Sequence, residues 1–202
     1  MHDEQNRPRR ARPIPPQLDD AQLEELALGY VARFATSTGK LADYLKRKLR
    51  ERGWDEDTPA PDIPALLARF AERGFIDDPG YAQARSETLR RRGLGDRRID
   101  QTLNQAGIGA DLRAANRSSE RASREAALAF ARKRRLGPFA GRGDPGAAPS
   151  DPKTREKHIA ALLRGGHALG NARFIVNAVD VAEIEEWVLE GIDDDEPAQD
   201  HG

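Results

Sequence analysis

The sequence has no cysteine, few aromatic residues and no long apolar segment, and each absence narrows what the protein can be. Without cysteine there is neither a disulfide framework nor a thiolate metal site, which suits a reducing compartment. No apolar run reaches the about 20 residues that a membrane-spanning helix needs, and the N-terminal residues do not read as a signal peptide. We therefore expect a cytoplasmic protein.

The residues that are abundant favour helix throughout. Ala, Leu, Arg and Glu dominate, and β-branched residues are scarce before the last predicted helices. Only 38% of residues are hydrophobic and 33% are charged, so one large globular core is not expected. We predict an all-α fold made of several small helical units.

The formal net charge of −1 hides a strong asymmetry along the chain. Residues 179–202 contain ten acidic side chains and no Lys or Arg, so residues 1–178 carry 33 basic against 24 acidic groups, a net charge of +9. Within 85–135 the balance is 14 basic to 6 acidic residues. A basic body with an acidic tail suits a partner that presents phosphates or an acidic protein surface.

Apolar residues recur at helical spacing in three groups of short helices. When the glycines that end the second helix of each group are aligned, a leucine lies four residues upstream every time. The glycines are Gly53, Gly107 and Gly166, and the leucines are Leu49, Leu103 and Leu162. Units this small must share contacts with their neighbours to be stable. The pattern predicts tandem three-helix repeats that form an elongated, curved helical array.

Composition and helix signals also predict where the segments begin and end. We expect a disordered, basic and Pro-rich tail at 1–17, followed by repeats at 18–76, 77–118 and 119–179. The third repeat carries a loop insertion at 137–151, and an acidic C-terminal helix and tail occupy 180–202. Asp77-Asp78-Pro79 has the cap and first-turn proline of a helix start, and Asp180 with Glu183 fits a capping box.

Basic residues concentrate in three segments that are candidates for partner binding. The first flanks Gly93-Leu94-Gly95, which we interpret as a hinge with little packing, and the second ends the seventh helix. The candidates are Arg90, Arg91, Arg92, Arg97 and Arg98, then Arg132, Lys133, Arg134 and Arg135, and on the second helix Lys46 and Arg47. Cations near helix C-termini can also merely complement the helix dipole. We favour partner binding for the two arginine clusters, since solubility does not require runs of like charge, and leave both interpretations open for Lys46 and Arg47.

Catalysis has little support, and we expect neither an enzyme nor a cofactor or metal site. His158 and His167 lie nine residues apart, which is not a ligand spacing, and we interpret them as surface or partly packed residues. Gly93-Leu94-Gly95 follows no strand and is too short to cradle a phosphate. The aromatic residues that fit the apolar stripes are interpreted as core and not as base-stacking platforms: Tyr30, Trp54, Phe70, Phe75 and Tyr81.

The segment 73–108 resembles the RecX family, the regulators of the bacterial recombinase RecA. It contains the turn GFIDD at 74–78 and the basic stretch RRRGLGDRRI at 90–99, separated by one amphipathic helix. The resemblance covers roughly residues 20–180 and implies three three-helix repeats. It also implies a regulator of DNA recombination, DNA repair and the SOS response. Such a protein binds the filament of RecA on single-stranded DNA and modulates, usually inhibits, its ATPase activity and strand exchange.

Two other functions fit the residues without the resemblance. A helical nucleic-acid-binding protein would use the same basic surfaces without a recombinase partner. An interaction scaffold would use the acidic C-terminal helix instead. In the RecX-like case the single-stranded DNA is contacted directly or only within the filament, and the protein acts as a monomer.

Overall fold

The computed structural model describes residues 16–140 and 151–192, and these residues form short helices joined by turns. Their only β-type pairing is an isolated bridge between Leu18 and Trp54. The predicted all-α class is therefore confirmed. The chain divides into two compact units between Ile76 and Asp77.

The first unit is a bundle of three helices, α1 (Asp20–Val31), α2 (Thr38–Arg52) and α3 (Ile63–Glu72). Helix α2 packs against both α1 and α3. Each helix begins at a side chain that accepts a backbone hydrogen bond from its first turn, the usual way in which free amides at a helix start are satisfied. The capping residues are Asp19, Ser37 and Asp62.

Two phenylalanines of the first unit lie outside its core. Helix α1 ends at Val31, so Phe34 lies on the turn beyond it and is 54% exposed. Phe75 is 45% exposed, although its ring meets the edge of the fully buried Phe70. The interpretation of Phe75 as a core residue is wrong, because the left-handed turn after α3 buries Ile76 instead. The remaining core is aliphatic around Phe70: Leu18, Leu23, Ala27, Leu41, Leu45, Ile63, Leu66 and Leu67.

The second unit opens with α4 (Asp78–Arg91), α5 (Asp96–Gln105) and α6 (Ala110–Ala115). Asp77 caps α4, and its carboxylate accepts a 2.9 Å hydrogen bond from the amide of Gly80. This contact confirms the helix start that the sequence predicts at Asp77. The three helices enclose a small core: Ala82, Leu89, Ile99, Leu103, Ala106 and Ile108.

The unit continues with α7 (Glu120–Arg134), a short 3-10 helix (Gly137–Ala140), α8 (Pro152–Arg164), α9 (Leu169–Asn177) and α10 (Val181–Leu189). Helix α7 contacts α4, α8, α9 and α10, and α8 packs against α9. Leu94, at the turn between α4 and α5, packs against the cores on both sides of it. The two groups of helices within this unit are thus joined through the basic turn that the sequence singled out.

Helix α10 is the acidic C-terminal helix predicted from residue 180. Asp180 caps it by accepting from the amide of Glu183 at 3.0 Å, as expected. The Glu183 carboxylate accepts from the amide of Val179, one residue before the cap, so the reciprocal half of the capping box is displaced by one position. Ile184 and Val188 face the core.

Several sequence expectations fall outside the described residues. Residues 1–15 of the predicted disordered tail, 141–150 of the predicted loop insertion and 193–202 of the acidic tail are in this group. Of the predicted insertion, Gly137–Ala140 form the 3-10 helix, with Gly137 and Pro138 buried. The repeat boundaries and the elongated, curved array stay predictions.

Candidate partner-binding surface

Two helices of the second unit end in nearly the same basic sequence. The end of α4 and the turn after it, residues 90–95, read RRRGLG. The end of α7 and its turn, residues 132–137, read RKRRLG. In both turns the amide of the leucine bonds back to a carbonyl five residues upstream, Leu94 to Leu89 at 3.1 Å and Leu136 to Ala131 at 2.9 Å. This is the hydrogen bond that closes a helix through a left-handed residue. The leucines anchor each turn in the core and leave the basic residues before them at the surface.

The left-handed position differs between the two turns. Gly93 occupies it after α4 with φ of 80°, whereas Arg135 occupies it after α7 with φ of 55°. Arg135 is the only residue other than glycine with positive φ in 16–140 and 151–192. A left-handed backbone costs an ordinary L-residue about 1–2 kcal/mol. Glycine would adopt this conformation at a lower conformational cost than Arg135. The presence of an exposed arginine here therefore favours a role for its charge over a role in folding.

The segment Gly93-Leu94-Gly95 is a packed junction, so its interpretation as a hinge with little packing is wrong. The amide of Gly95 donates to the carbonyl of Gly165 at 3.0 Å, and the amide of Arg97 donates to the carbonyl of Gly166 at 3.2 Å. A Cβ atom on Gly93 would lie 2.9 Å from the backbone nitrogen of Phe130. The glycines let three backbone segments touch, which a side chain would prevent.

His167 lies at the centre of this junction. Its amide bonds to the carbonyl of Leu162, as the amide of Ile108 bonds to Leu103, so the histidine takes the place after α8 that an isoleucine holds after α5. The ring is only 1% exposed, and its Nε2 lies 3.1 Å from the carbonyl oxygen of Gly93. The expectation of a surface or partly packed residue is wrong for His167.

The protonation state of His167 follows from these contacts. Because a carbonyl can only accept, Nε2 carries the hydrogen, and Nδ1 is buried without a hydrogen-bond partner among the described residues. Burial lowers the pKa of His167, outweighing the opposing effects of the Gly93 carbonyl and Asp96. The ring is thus neutral, and its hydrogen bond links the turn after α4 to the turn after α8. His158, whose Nδ1 accepts from the amide of Gly137 at 3.1 Å, also has a pKa lowered by burial.

The first arginine cluster separates into a structural and an exposed part. Arg90 donates to Ser118 Oγ at 2.7 Å and to the carbonyl of Asn116 at 3.0 Å, and Ser118 in turn donates to Asp96. Arg90 therefore holds the start of α5 and the segment before α7 to the end of α4. Arg91 and Arg92 are exposed.

Arg97 and Arg98 are also exposed, in the first turn of α5. The positive end of the helix dipole disfavours cations there, so dipole complementation does not account for either residue. Arg98 donates to Gln101 at 2.7 Å on its own helix. Arg97 lines a groove between α5 and α6 together with Arg117. Arg97 and Arg98 are the strongest candidates for contact with an anionic partner.

The second cluster, at the end of α7, is exposed throughout. Arg132 pairs with Glu185 of α10 at 2.7 Å, and its guanidinium lies 5.6 Å from the ring centre of Phe139. The guanidinium of Arg134 lies 5.7 Å from the ring centre of Phe130. Lys133 and Arg135 complete the cluster. With both members of the Arg132–Glu185 pair half exposed, this ion pair contributes little to stability.

Packing brings the two clusters to one region of the unit. Arg90 and Arg91 line a groove whose opposite wall is α7, including Ala129, which precedes Arg132 by less than one helical turn. Gly95 and Arg98 contact Gly166, so the end of α8 lies in the same region. Arg164, the last residue of α8, is exposed there. Sequence reasoning missed Arg164, although a basic residue immediately before Gly165-Gly166 was the available signal. We call the exposed set the basic surface: Arg91, Arg92, Arg97, Arg98, Lys133, Arg134, Arg135 and Arg164.

Lys46 and Arg47 belong to the first unit and are not part of this set. Both are exposed on α2. Arg47 pairs with Glu51 at 3.7 Å, four residues on, and its guanidinium lies 5.5 Å from the ring centre of Tyr44. Between 16 and 192, leaving out 141–150, no group of three His, Cys, Asp or Glu residues could hold a metal ion. In the same ranges, no helix has the length and apolar character required to cross a bilayer.

An all-helical protein with a basic surface where the ends of its short helices meet is the class that the fold and the site define. The chain is 31% identical to "Regulatory protein RecX" of Myxococcus xanthus over 178 residues, which cover 85% of this chain and 90% of the relative. It is 28% identical to the protein of the same name from Thermobifida fusca, over 90% of this chain and 88% of that one. The chain belongs to the RecX family of regulatory proteins.

Solved structures agree with this assignment in fold. A crystal structure of RecX from Lactobacillus salivarius matches with a TM-score of 0.58 over 77% of this chain and 93% of that chain, at 19% identity. A second crystal structure of a regulatory protein RecX matches with the same TM-score, at 20% identity, over 77% of this chain and 70% of that one. No protein-family model matches the chain.

Proposed function

We propose that this protein regulates the RecA recombinase by binding the RecA filament on single-stranded DNA and lowering its ATPase activity and strand exchange. The observation that carries the proposal is that exposed arginines lie on the turns that meet at the junction of Gly95, Gly166 and His167. Guanidinium groups form paired hydrogen bonds with both carboxylates and phosphates. A filament on DNA contains both groups, the phosphates of the DNA backbone and the carboxylate side chains of its protein.

The same junction argues against a nucleotide-hydrolysing role for this chain. A phosphate-binding loop presents free backbone amides to the ligand. The amides of Gly95 and Arg97 are instead bonded to the carbonyls of Gly165 and Gly166. We therefore propose a regulator that is not an enzyme, works without a cofactor, and acts as a cytoplasmic monomer on a partner that supplies the catalysis.

The test is a titration of the protein into RecA assembled on single-stranded DNA, with ATP hydrolysis and strand exchange as readouts. We expect both activities to fall as the added protein approaches the amount of RecA. The protein alone, with DNA and ATP, should hydrolyse nothing. RecA activity that stays constant across the titration would overturn the proposal.

A parallel binding experiment separates the proposal from general nucleic-acid binding, the second function considered from the sequence. The protein is titrated onto bare single-stranded DNA and onto the same DNA coated with RecA and a slowly hydrolysed ATP analogue. A filament regulator should bind the coated strand more tightly at the same ionic strength. Equal or weaker binding to the coated strand would favour the general nucleic-acid function.

A further inference from the structure

Three aromatic rings form a continuous row across α1 and α2 of the first unit. The rings of Tyr30 and Tyr44 are stacked, with centres 4.4 Å apart and planes inclined by 25°. Phe34 follows on the other side, with its ring centre 5.2 Å from that of Tyr30. The interpretation of Tyr30 as a core residue is therefore incomplete, because its half-buried ring belongs to a row that reaches the surface.

Phe34 is the open end of the row. It lies beyond the last residue of α1 and is 54% exposed, whereas Phe70 of the same unit is fully buried. Its neighbour Arg33 is exposed as well, and its guanidinium Nε donates to the carbonyl of Gly29 at 2.8 Å. The core of this unit is formed by other side chains, so its packing does not require the exposed ring of Phe34.

Cations gather at the opposite end of the row. The guanidinium of Arg47 and the ammonium of Lys48 lie 5.5 and 5.9 Å from the ring centre of Tyr44. Glu51 pairs with both cations, but α2 as a whole has six Lys and Arg residues against two acidic residues. The row thus has the exposed ring of Phe34 at one end and an excess of positive charge on α2 at the other.

We propose that this row is a stacking platform for single-stranded nucleic acid, with Phe34 as the ring that receives an unpaired base. Aromatic rings beside a cationic track are the common means of binding single strands without sequence preference, since every base has a face that stacks. The cations near Tyr44 and Arg33 attract the phosphates on either side. An apolar protein partner would be matched less well, because positive charge flanks the exposed ring.

The proposed site lies in the first unit, whereas the basic surface lies in the second, and its binding does not depend on a recombinase. The test therefore uses a fluorescently labelled oligothymidine and the full-length protein, without RecA. Phe34→Ala should weaken binding about 5- to 100-fold, the usual loss when one stacked base loses its aromatic partner. Phe34→Trp should retain the affinity.

Two controls show whether stacking causes the loss. Phe75→Ala removes another exposed phenylalanine of the same unit, one whose ring packs against Phe70, and should leave binding unchanged. An oligonucleotide with abasic sites in place of its bases should bind the parent protein and Phe34→Ala equally, because only phosphates remain to be contacted. Urea unfolding confirms that each variant is folded. Equal affinity of the parent and Phe34→Ala for oligothymidine, or the same loss on the abasic strand, would overturn the proposal.

Discussion

The carbonyl carbon of Gly166 lies 2.4 Å from the point that a Cβ atom on Gly95 would occupy. No real Cβ atom tolerates backbone at that distance, so Gly95→Ala must push the start of α5 away from the end of α8. We expect a loss of about 1–3 kcal/mol in the free energy of unfolding, the usual cost of overpacking. Urea unfolding followed by the fluorescence of Trp187, which lies in the same unit, measures it.

Gly170→Ala is the matched control for this substitution. Gly170 lies inside α9, and a Cβ atom there would meet nothing within 4 Å. Replacing a helical glycine by alanine should raise stability by about 0.5–1 kcal/mol. Equal stability of Gly95→Ala and the parent protein would show that the junction is looser than its hydrogen bonds indicate.

Arg135→Gly should increase the free energy of unfolding and should also weaken the inhibition of RecA. Relief of the left-handed strain is partly offset by the greater freedom of glycine in the unfolded chain, which leaves a gain of about 0.5–1 kcal/mol. Lys133→Gly removes the same charge inside the last turn of α7 and should instead cost up to about 1 kcal/mol. Both variants should inhibit RecA less strongly. A loss of stability in Arg135→Gly would contradict the strain argument.

The free energy of unfolding should fall as the pH is lowered, because His167 binds a proton more readily in the unfolded chain. Its pKa is lowered by burial, so below about pH 6.5 the unfolded chain binds a proton that the folded ring resists. The free energy of unfolding should therefore decrease as the pH falls from 7 towards the pKa of the folded protein and be unaffected by this group above 7. His167→Gln, which keeps a side-chain donor for the Gly93 carbonyl, should flatten the decrease.

His158→Gln separates the contributions of the two histidines, because the pKa of His158 is also lowered by burial. That ring is only partly buried, and its removal should change the pH dependence less. Urea unfolding at a series of pH values gives the slopes directly. If His167→Gln retained the full decrease, other groups would have to be responsible for it.

A quadruple variant tests the basic surface itself, with Ala at four exposed positions: Arg91, Arg92, Arg97 and Arg98. We expect it to stay folded and to lose inhibition of RecA, because these side chains make few contacts within the unit. Each lost phosphate contact should also flatten the slope of log affinity against log salt on single strands by about 0.7. Unchanged inhibition by a folded variant would show that these arginines only solvate the surface.

Arg90 is left out of that variant for a structural reason. Because it bonds to Ser118 and Asn116, Arg90→Ala should cost about 1–3 kcal/mol by leaving partners unsatisfied. Leu103→Ala, fully buried, should cost about 2–5 kcal/mol and impair function only through unfolding. Comparing these two with the quadruple variant distinguishes loss of stability from loss of binding.

The helices were predictable from the sequence because their signals are local. Asp77 and Asp180 cap helices where the sequence predicts them, and each carboxylate accepts from an amide three residues further along the chain. The leucines aligned by their spacing from the helix-ending glycines likewise pack in the cores: Leu103 and Leu162 are fully buried, and Leu49 is partly buried. Such contacts lie within one or two turns, so a short window of sequence contains both partners.

The sequence by itself determined that this chain is helical, basic apart from its C-terminal end, and a member of a family recognisable from one motif. Only the tertiary structure decided how the residues of that motif pack. His167 is buried where its ring meets the carbonyl of Gly93, 74 residues away, and the expected hinge is a junction because Gly95 and Arg97 bond to Gly165 and Gly166. Contacts over such separations depend on how helices pack, which no local pattern encodes.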